Sequence, residues 1–171
     1  MKMNEVLYNA AAIADRVQEL AKELDVAFDG SSIVAVVALK GAMPFAMDLI
    51  RSMKTPIAVE LIRAKSYLGR ESTGEVEFSL LPEGDLTGKT VLVIEDILDT
   101  GRTARAIYGA LLIQNPQRVH VVTLLDKPAR REVEFQPDWV GFSIENVFVV
   151  GYGLDYDEAY RQLPDIRVLE L

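Results

Sequence analysis

The sequence predicts an α/β domain with a central, mostly parallel sheet flanked by helices, and three observations carry that expectation. Short β-branched apolar runs at Ile33–Leu39, Val91–Ile94 and Val119–Leu125 read as buried strands of the kind found at a sheet centre. The first two are followed by segments in which apolar residues recur at helical spacing. Each run also stops at a charged or glycine-bearing turn: Lys40-Gly41, Glu95-Asp96 and Lys127. One charged strand end is usually just the first solvated residue. Ligands of open α/β sheets, however, sit beyond the carboxyl ends of the strands, so three such ends across a parallel sheet predict one shared site.

In chain order, Asn4 is placed to cap a first helix. Its apolar positions, Val6, Leu7, Ala10, Ile13, Ala14, Val17, Leu20, Ala21 and Leu24, follow helical spacing, and Asp29-Gly30 ends the connection. After the strand Ile33–Leu39, Pro44 suits the first turn of a helix running to about Met53. Pro56 opens a third strand, Ile57–Arg63, which runs into the polar segment Lys65–Gly74. Glu75–Leu80 then alternates as a strand does, so the region reads as a long hairpin. Pro82–Lys89 turns the chain into Val91–Ile94, and Ala104, Ile107, Tyr108, Leu111 and Leu112 mark the helix beyond it, broken by Asn115-Pro116. Trp139–Phe142 and Val147–Val150 read as short strands. The tail is expected to form a short helix ending near Leu163, with a last strand over Ile166–Leu171.

The stretch from Val91 to Ala104, VLVIEDILDTGRTA, carries the chemistry. Gly101 lets the backbone approach a ligand, Thr100 and Thr103 add hydroxyl donors, and amides at a helix start favour an anion, phosphate above all. Glu95 and Asp96 do the opposite work, accepting from sugar hydroxyls or holding Mg2+ through oxygen. Asp, Thr and Gly would serve equally well as a helix cap. The acid pair on the preceding buried strand is what turns the segment into a sugar-phosphate site. Lys40-Gly41, between a strand and a helix start, repeats the pattern as a second anion turn.

Composition narrows the classes. The chain has 171 residues, half of them apolar and about a quarter charged (26%), and a formal net charge of −8. It suits one domain over residues 1–171 and lacks the overall basic footprint of a nucleic-acid binder. An anionic substrate must then be held by locally placed cations, and Lys40, Arg102, Lys127, Arg130, Arg131 and Arg161 all fall near turns. With no cysteine and one histidine, His120, disulfides and thiolate metal sites are excluded and a Ser-His-Asp or Cys-His hydrolase is disfavoured. No basic leader with an apolar core opens the chain and no apolar run approaches a membrane span, so the cytoplasm, with no membrane partner, is expected.

VIEDILDTGRTA resembles the phosphoribosyl-pyrophosphate signature of type I phosphoribosyltransferases, and other segments resemble their hypoxanthine-guanine (6-oxopurine) branch. The resemblance covers nearly the whole chain from Leu39 onward. It implies that fold, with a small hood from about residues 132–171 helped by the N-terminus, and a flexible hairpin lid over about residues 65–80 bearing Ser66 and Tyr67. It implies a phosphoribosyl cradle of Glu95, Asp96, Asp99, Thr100, Gly101, Arg102 and Thr103. A pyrophosphate site would comprise Lys40, Gly41, Arg131 and Arg161; in the family, the backbone before this glycine can be strained or cis. Lys127 would meet the purine 6-oxo group, Phe148 would stack on the ring, the Val149 backbone would meet its pairing edge, and Asp155 beside the base would reach Mg2+ together with Glu95 and Asp96. Asp99 is the candidate catalytic base for a purine ring nitrogen. The family habit is a homodimer or homotetramer.

The implied reaction moves 5-phosphoribosyl from phosphoribosyl pyrophosphate to N9 of a 6-oxopurine. Two rivals remain at this point: an RNA-binding regulator on the same fold, and a Mg2+-dependent phosphotransferase-like domain. The acidic balance disfavours the first. The D-x-x-D spacing of Asp96 and Asp99, unlike the D-x-D of haloacid-dehalogenase-like phosphatases, disfavours the second.

Overall fold

A computed structural model describes residues 2–66 and 76–170. Its elements are β1 (Lys2–Tyr8), α1 (Ala10–Phe28), β2 (Ile33–Ala38), α2 (Met43–Ser52), β3 (Ile57–Ser66), β4 (Val76–Leu80), β5 (Thr90–Leu98), α3 (Arg102–Leu112), β6 (Arg118–Asp126), β7 (Trp139–Ser143), β8 (Val149–Val150) and β9 (Ile166–Glu170). A six-stranded sheet runs β4-β3-β2-β5-β6-β7, parallel throughout except for β4, which folds back antiparallel on β3. All six residues of β2 are buried, as are Val91–Glu95 of β5, so both faces of the sheet centre are covered. Helices α1 and α2 pack on each other and reach β7, β2 and β5, while α3 lies over β3, β4, β5 and β6.

The hydrophobic spacing that marks α1 buries Ile13, Val17, Leu20, Ala21, Leu24 and Phe28 on one stripe. Its start corrects the sequence expectation. Asn9, not Asn4, is the cap, its side chain accepting from the Ala12 amide at 2.8 Å. Lys2–Tyr8 is a strand that pairs antiparallel with β9, and Tyr8 stacks on Phe142 with ring centroids 3.9 Å apart. Helical spacing of Val6 and Leu7 is overridden by a pairing partner some 160 residues away in sequence (Tyr8 opposite Ile166).

With β8, these two strands make a second, three-stranded sheet, β1-β9-β8, from the two ends of the chain. The tail holds a second correction: no helix forms before Leu163. Residues 151–163 wind through turns closed by the bridges Gly151–Leu154 and Tyr156–Ala159, with positive φ at Tyr152, Asp157, Glu158 and Tyr160. A run of left-handed residues is incompatible with a right-handed helix. The last strand ends at Glu170, and β5 continues past the apolar run to Leu98 because its pairing with β6 persists through Ile97 and Leu98. Among the described residues no helix is long and apolar enough to cross a membrane.

Candidate active site

Because β2, β5 and β6 are adjacent and parallel, their carboxyl ends must open on one rim. A cleft of about 570 Å³ lies there, lined by Lys40 and Gly41 after β2, residues 95–104 at the end of β5, Arg130 and Glu132 after β6, and Asp155 and Arg161 of the tail.

The Leu39–Lys40 peptide is cis, and the turn it begins passes directly against Asp96. A Cβ on Gly41 would stand 1.6 Å from Asp96 Oδ2, so only glycine permits this approach. Ala42, fully buried, leads into α2 with Pro44 in its first turn. Over the same turn lies the tail. A Cβ on Gly153, at φ +98°, would stand 2.1 Å from the Gly41 carbonyl oxygen.

Glu95 and Asp96 sit on the last turns of the β5 pleat. Asp96 Oδ1 accepts from the Ile97 amide at 2.8 Å, and Glu95 accepts from the Asp96 amide at 3.2 Å. Burial first, and then the Asp96 charge beside it, push the Glu95 carboxyl well above the usual carboxylate range. Two adjacent carboxyls, one of them buried, are suited to a hard cation. Among the described residues, no three His, Cys, Asp or Glu side chains converge as a complete cage. The donor set therefore fits Mg2+, an ion that binds through one or two carboxylates and takes its other oxygens from substrate phosphates and water.

Beyond the acid pair, the loop 99–101 leads into α3, whose first residue is Arg102. The Thr100 hydroxyl accepts from the Arg102 amide at 3.4 Å, and Arg102 pairs with Glu132 at 2.8 Å. Asp99 Oδ1 accepts from Arg130 Nε at 3.1 Å. Lys127, only 6% exposed, closes β6, and its amide donates to the Leu98 carbonyl at 2.9 Å. Burial pulls its ammonium below the ordinary lysine value, partly offset by the Asp99 charge and reinforced by Arg130.

Arg161 organises the tail side. It donates from Nη1 to the Gly153 carbonyl at 2.8 Å, while Nη2 lies 2.9 Å from Asp155 Oδ1 and 3.4 Å from Glu158 Oε2. Glu158 Oε2 also accepts from Lys40 Nζ at 2.8 Å, tying the tail to the β2 turn. Phe148 is 40% exposed and meets Tyr156 edge to face, ring centroids 5.7 Å apart.

A model of the phosphoribosyl transferase domain matches residues 3–157. The chain belongs to the phosphoribosyl transferase family. The hypoxanthine-guanine phosphoribosyltransferase of Aquifex aeolicus is 39% identical over 171 residues, an alignment covering 99% of this chain and 96% of that one. A bifunctional TilS/HprT protein of Listeria monocytogenes is 41% identical over 98% of this chain, which spans about a quarter (26%) of that relative's length. Among solved structures, a hypoxanthine-guanine phosphoribosyltransferase of Bacillus anthracis matches with a TM-score of 0.95 at 38% identity, covering 99% of this chain and 100% of that one.

On this phosphoribosyltransferase scaffold the cleft gathers Lys40, Gly41, Glu95, Asp96, Asp99, Thr100, Gly101, Arg102, Thr103, Asp155 and Arg161. Lys127, which directly follows β6, and Phe148 and Val149, in the second sheet and the connection before it, are not among the cleft-lining residues. The Ser66 backbone ends β3 opposite Val76; Tyr67, and with it residues 67–75 of the lid expected over about 65–80, lies outside the described residues. Arg131 lies outside the cleft lining. Its guanidinium lies beneath the 99–101 loop, donating to the carbonyls of Leu98 and Asp99 and to the Asp126 carboxylate, with its side chain only 10% exposed. Both terminal nitrogens are engaged by these partners, so the guanidinium props the loop from below. The arginine in the cleft is its neighbour Arg130, set there by the one-turn 3-10 helix Pro128–Arg130. Two acids were also missed, Glu132 and Glu158; neither belongs to a motif, and only tertiary folding brings them to the rim. His120 packs between Phe28 and Trp139 against Asp138, away from the cleft.

Proposed function

We propose that this chain, acting as one phosphoribosyltransferase domain, transfers the 5-phosphoribosyl group of phosphoribosyl pyrophosphate to N9 of hypoxanthine or guanine. The products are the nucleoside monophosphate and pyrophosphate. The observation that carries this reading is the single rim on which an amide-lined loop, a carboxylate pair and two diphosphate-range cations, Lys40 and Arg161, meet. It is supported by relatives of that name matching over nearly their whole length.

In this reading, residues 99–103 cradle the 5-phosphate through amides and hydroxyls, with the Arg102 side chain at the rim. Glu95 and Asp96 face the ribose hydroxyls. Lys40, the Gly41 amide and Arg161 receive the diphosphate, with Arg130 as a further cation, while Arg131 positions the loop from below. When bound, Mg2+ would be held through the carboxylates of the Glu95–Asp96 pair or of Asp155 and would supply charge neutralisation for the departing diphosphate. Phe148 stacks on the purine, the Val149 backbone meets its pairing edge, and Lys127 donates to the 6-oxo group. N9 bonds to C1′ as the bond from C1′ to the diphosphate oxygen breaks and its electron pair leaves with pyrophosphate. The purine ring proton passes through N7 to Asp99. The hairpin lid with Ser66 and Tyr67 excludes water from the oxocarbenium-like sugar. Exposed apolar residues on α2 (Met43, Met47) and β3 (Val59, Leu61) support assembly as a homodimer or homotetramer, and the proposed compartment is the cytoplasm.

The test is a spectrophotometric panel of hypoxanthine, guanine, xanthine and adenine, with and without Mg2+ and phosphoribosyl pyrophosphate. Turnover of hypoxanthine or guanine that needs both additions is expected, with adenine inert because its 6-amino group meets the Lys127 donor. Adenine turnover equal to that of the 6-oxopurines would remove Lys127 from its role, and silence of all four bases would remove the activity.

A further inference from the structure

We propose that Glu158 is a built-in counter-anion of the diphosphate subsite, a carboxylate that occupies the place of a phosphoryl oxygen between Lys40 and Arg161 and must be displaced when diphosphate binds. This rests on the assignment of Lys40 and Arg161 to the diphosphate made above. It adds a residue that sets how tightly diphosphate-bearing ligands are held.

Four observations carry it. One oxygen, Glu158 Oε2, takes both contacts, 2.8 Å from Lys40 Nζ and 3.4 Å from Arg161 Nη2, much as a single diphosphate oxygen bridging two cations would. Lys40 and Glu158 are 118 residues apart, so nothing local forces them together. The backbone delivers the carboxylate at a conformational cost. Asp157 and Glu158 hold φ of +50° and +62°, a left-handed pair that residues with a Cβ seldom adopt. That turn is locked onto the site itself, since the Glu158 amide donates to Asp155 Oδ2 at 2.9 Å while Asp155 Oδ1 holds the same Arg161. In keeping with this, the hydrogen bond from Lys40 is the largest effect on the Glu158 carboxyl and, with the Lys40 and Arg161 charges, keeps it below the usual range against the opposing effect of desolvation.

The contact is also weak enough to yield. Glu158 is 64% exposed and Lys40 42%, and exposed ion pairs contribute little in water. A diphosphate bringing several charges and two phosphoryl groups outcompetes one carboxylate. The arrangement has two consequences. In the absence of ligand it neutralises two cations that would otherwise repel each other and attract any stray anion. It also returns to the subsite as pyrophosphate leaves, lowering the affinity for that product.

The probe is inorganic pyrophosphate, titrated calorimetrically into the full chain at fixed Mg2+, and measured again as a product inhibitor of turnover. Glu158→Gln is expected to bind pyrophosphate about three- to ten-fold more tightly than wild type and to lower its inhibition constant by the same factor. Asp157→Asn removes the same charge one residue away and is expected to change either value less than two-fold. Affinity unchanged or weakened in Glu158→Gln overturns the proposal, and so does an equal gain in Asp157→Asn, which would make the effect one of net charge alone. Lys40→Ala separates the two levels. If it binds pyrophosphate as wild type does, the diphosphate subsite itself is misplaced; if it loses binding while Glu158→Gln is unchanged, only the counter-anion fails.

Discussion

Replacing Asp99 by Asn tests the chemistry with little disturbance of the fold, because the amide keeps the shape of the side chain while losing its negative charge and its capacity to take a proton. Two magnitudes decide what to expect. The carboxylate pairs with Arg130 at 3.1 Å, with side chains 37% and 45% exposed. An exposed pair of this kind contributes about 0.2–1 kcal/mol. For a chain of this length that corresponds to a Tm lower by at most about 4 °C. A positioned general base, by contrast, is worth about 10²–10⁴ in rate, or about 3–5 kcal/mol of barrier at 1.36 kcal/mol per decade. Asp99→Asn is therefore expected to cut kcat by at least about 100-fold, while calorimetric affinity for phosphoribosyl pyrophosphate moves less than about five-fold. Steady-state absorbance assays with hypoxanthine give the first quantity. A kcat within ten-fold of wild type refutes the assignment. A loss of phosphoribosyl-pyrophosphate affinity as large as the loss of kcat would make Asp99 a binding residue and not the base.

Two further outcomes test the site from its scaffold. Gly41→Ala places a methyl 1.6 Å from Asp96 Oδ2, so the turn or the Asp96 carboxylate must move by ångströms, and kcat/KM for phosphoribosyl pyrophosphate should fall at least about 100-fold. A variant with wild-type kcat/KM would show that the Gly41–Asp96 approach is dispensable. Glu95→Gln tests the buried carboxyl through pH. Because burial and the Asp96 charge raise its pKa, the folded state holds the proton more tightly than the unfolded chain. Its stability contribution is thus fully present below the ordinary Glu value and is lost as pH rises through the folded one. The variant, neutral throughout, should melt higher than wild type at about pH 8 and equal to it at about pH 4.5 in Mg2+-free buffer; a Tm difference that does not change between the two contradicts the burial argument.

What the sequence made legible is what local chemistry determines. Strands β2, β5 and β6 announce themselves as apolar runs, and their charged ends announce the rim, because a buried strand must become polar where it emerges. The helices α2 and α3 follow from Pro44 and from the spacing of Ala104, Ile107 and Leu111. What failed depended on partners distant in sequence. Residues 2–8 have a helix-like pattern and are a strand only because Ile166–Glu170 offers an edge to pair with. The 151–163 segment reads as a short helix and is instead held in left-handed turns by Gly153–Arg161 and Gly151–Leu154 backbone bonds. Arg130 and Arg131 are indistinguishable by type. Which of them reaches the cleft is fixed by Asp126 and by the Leu98 and Asp99 carbonyls, which capture Arg131 from below.

These distant contacts bear on how the cleft is assembled. Gly153 of the tail rests on the Gly41 carbonyl, and Gly41 rests on the Asp96 carboxylate, so tail, turn and acid pair form one stack without room for a methyl group at either junction. Interiors packed this closely transmit displacement instead of absorbing it. Tyr152 reinforces the stack from the side, its hydroxyl donating to Asp48 of α2 at 2.6 Å, with burial foremost among the causes that raise its pKa far above the usual phenol value. Hence the 151–163 segment is coupled mechanically to the acid pair. The segment bearing Asp155, Glu158 and Arg161 cannot move away from Lys40 without releasing Gly41 from above. Lys40 and Arg161 on one side and Glu95 and Asp96 on the other are thus positioned by a single set of backbone contacts, and those contacts, more than the motif residues themselves, fix the distance between the two.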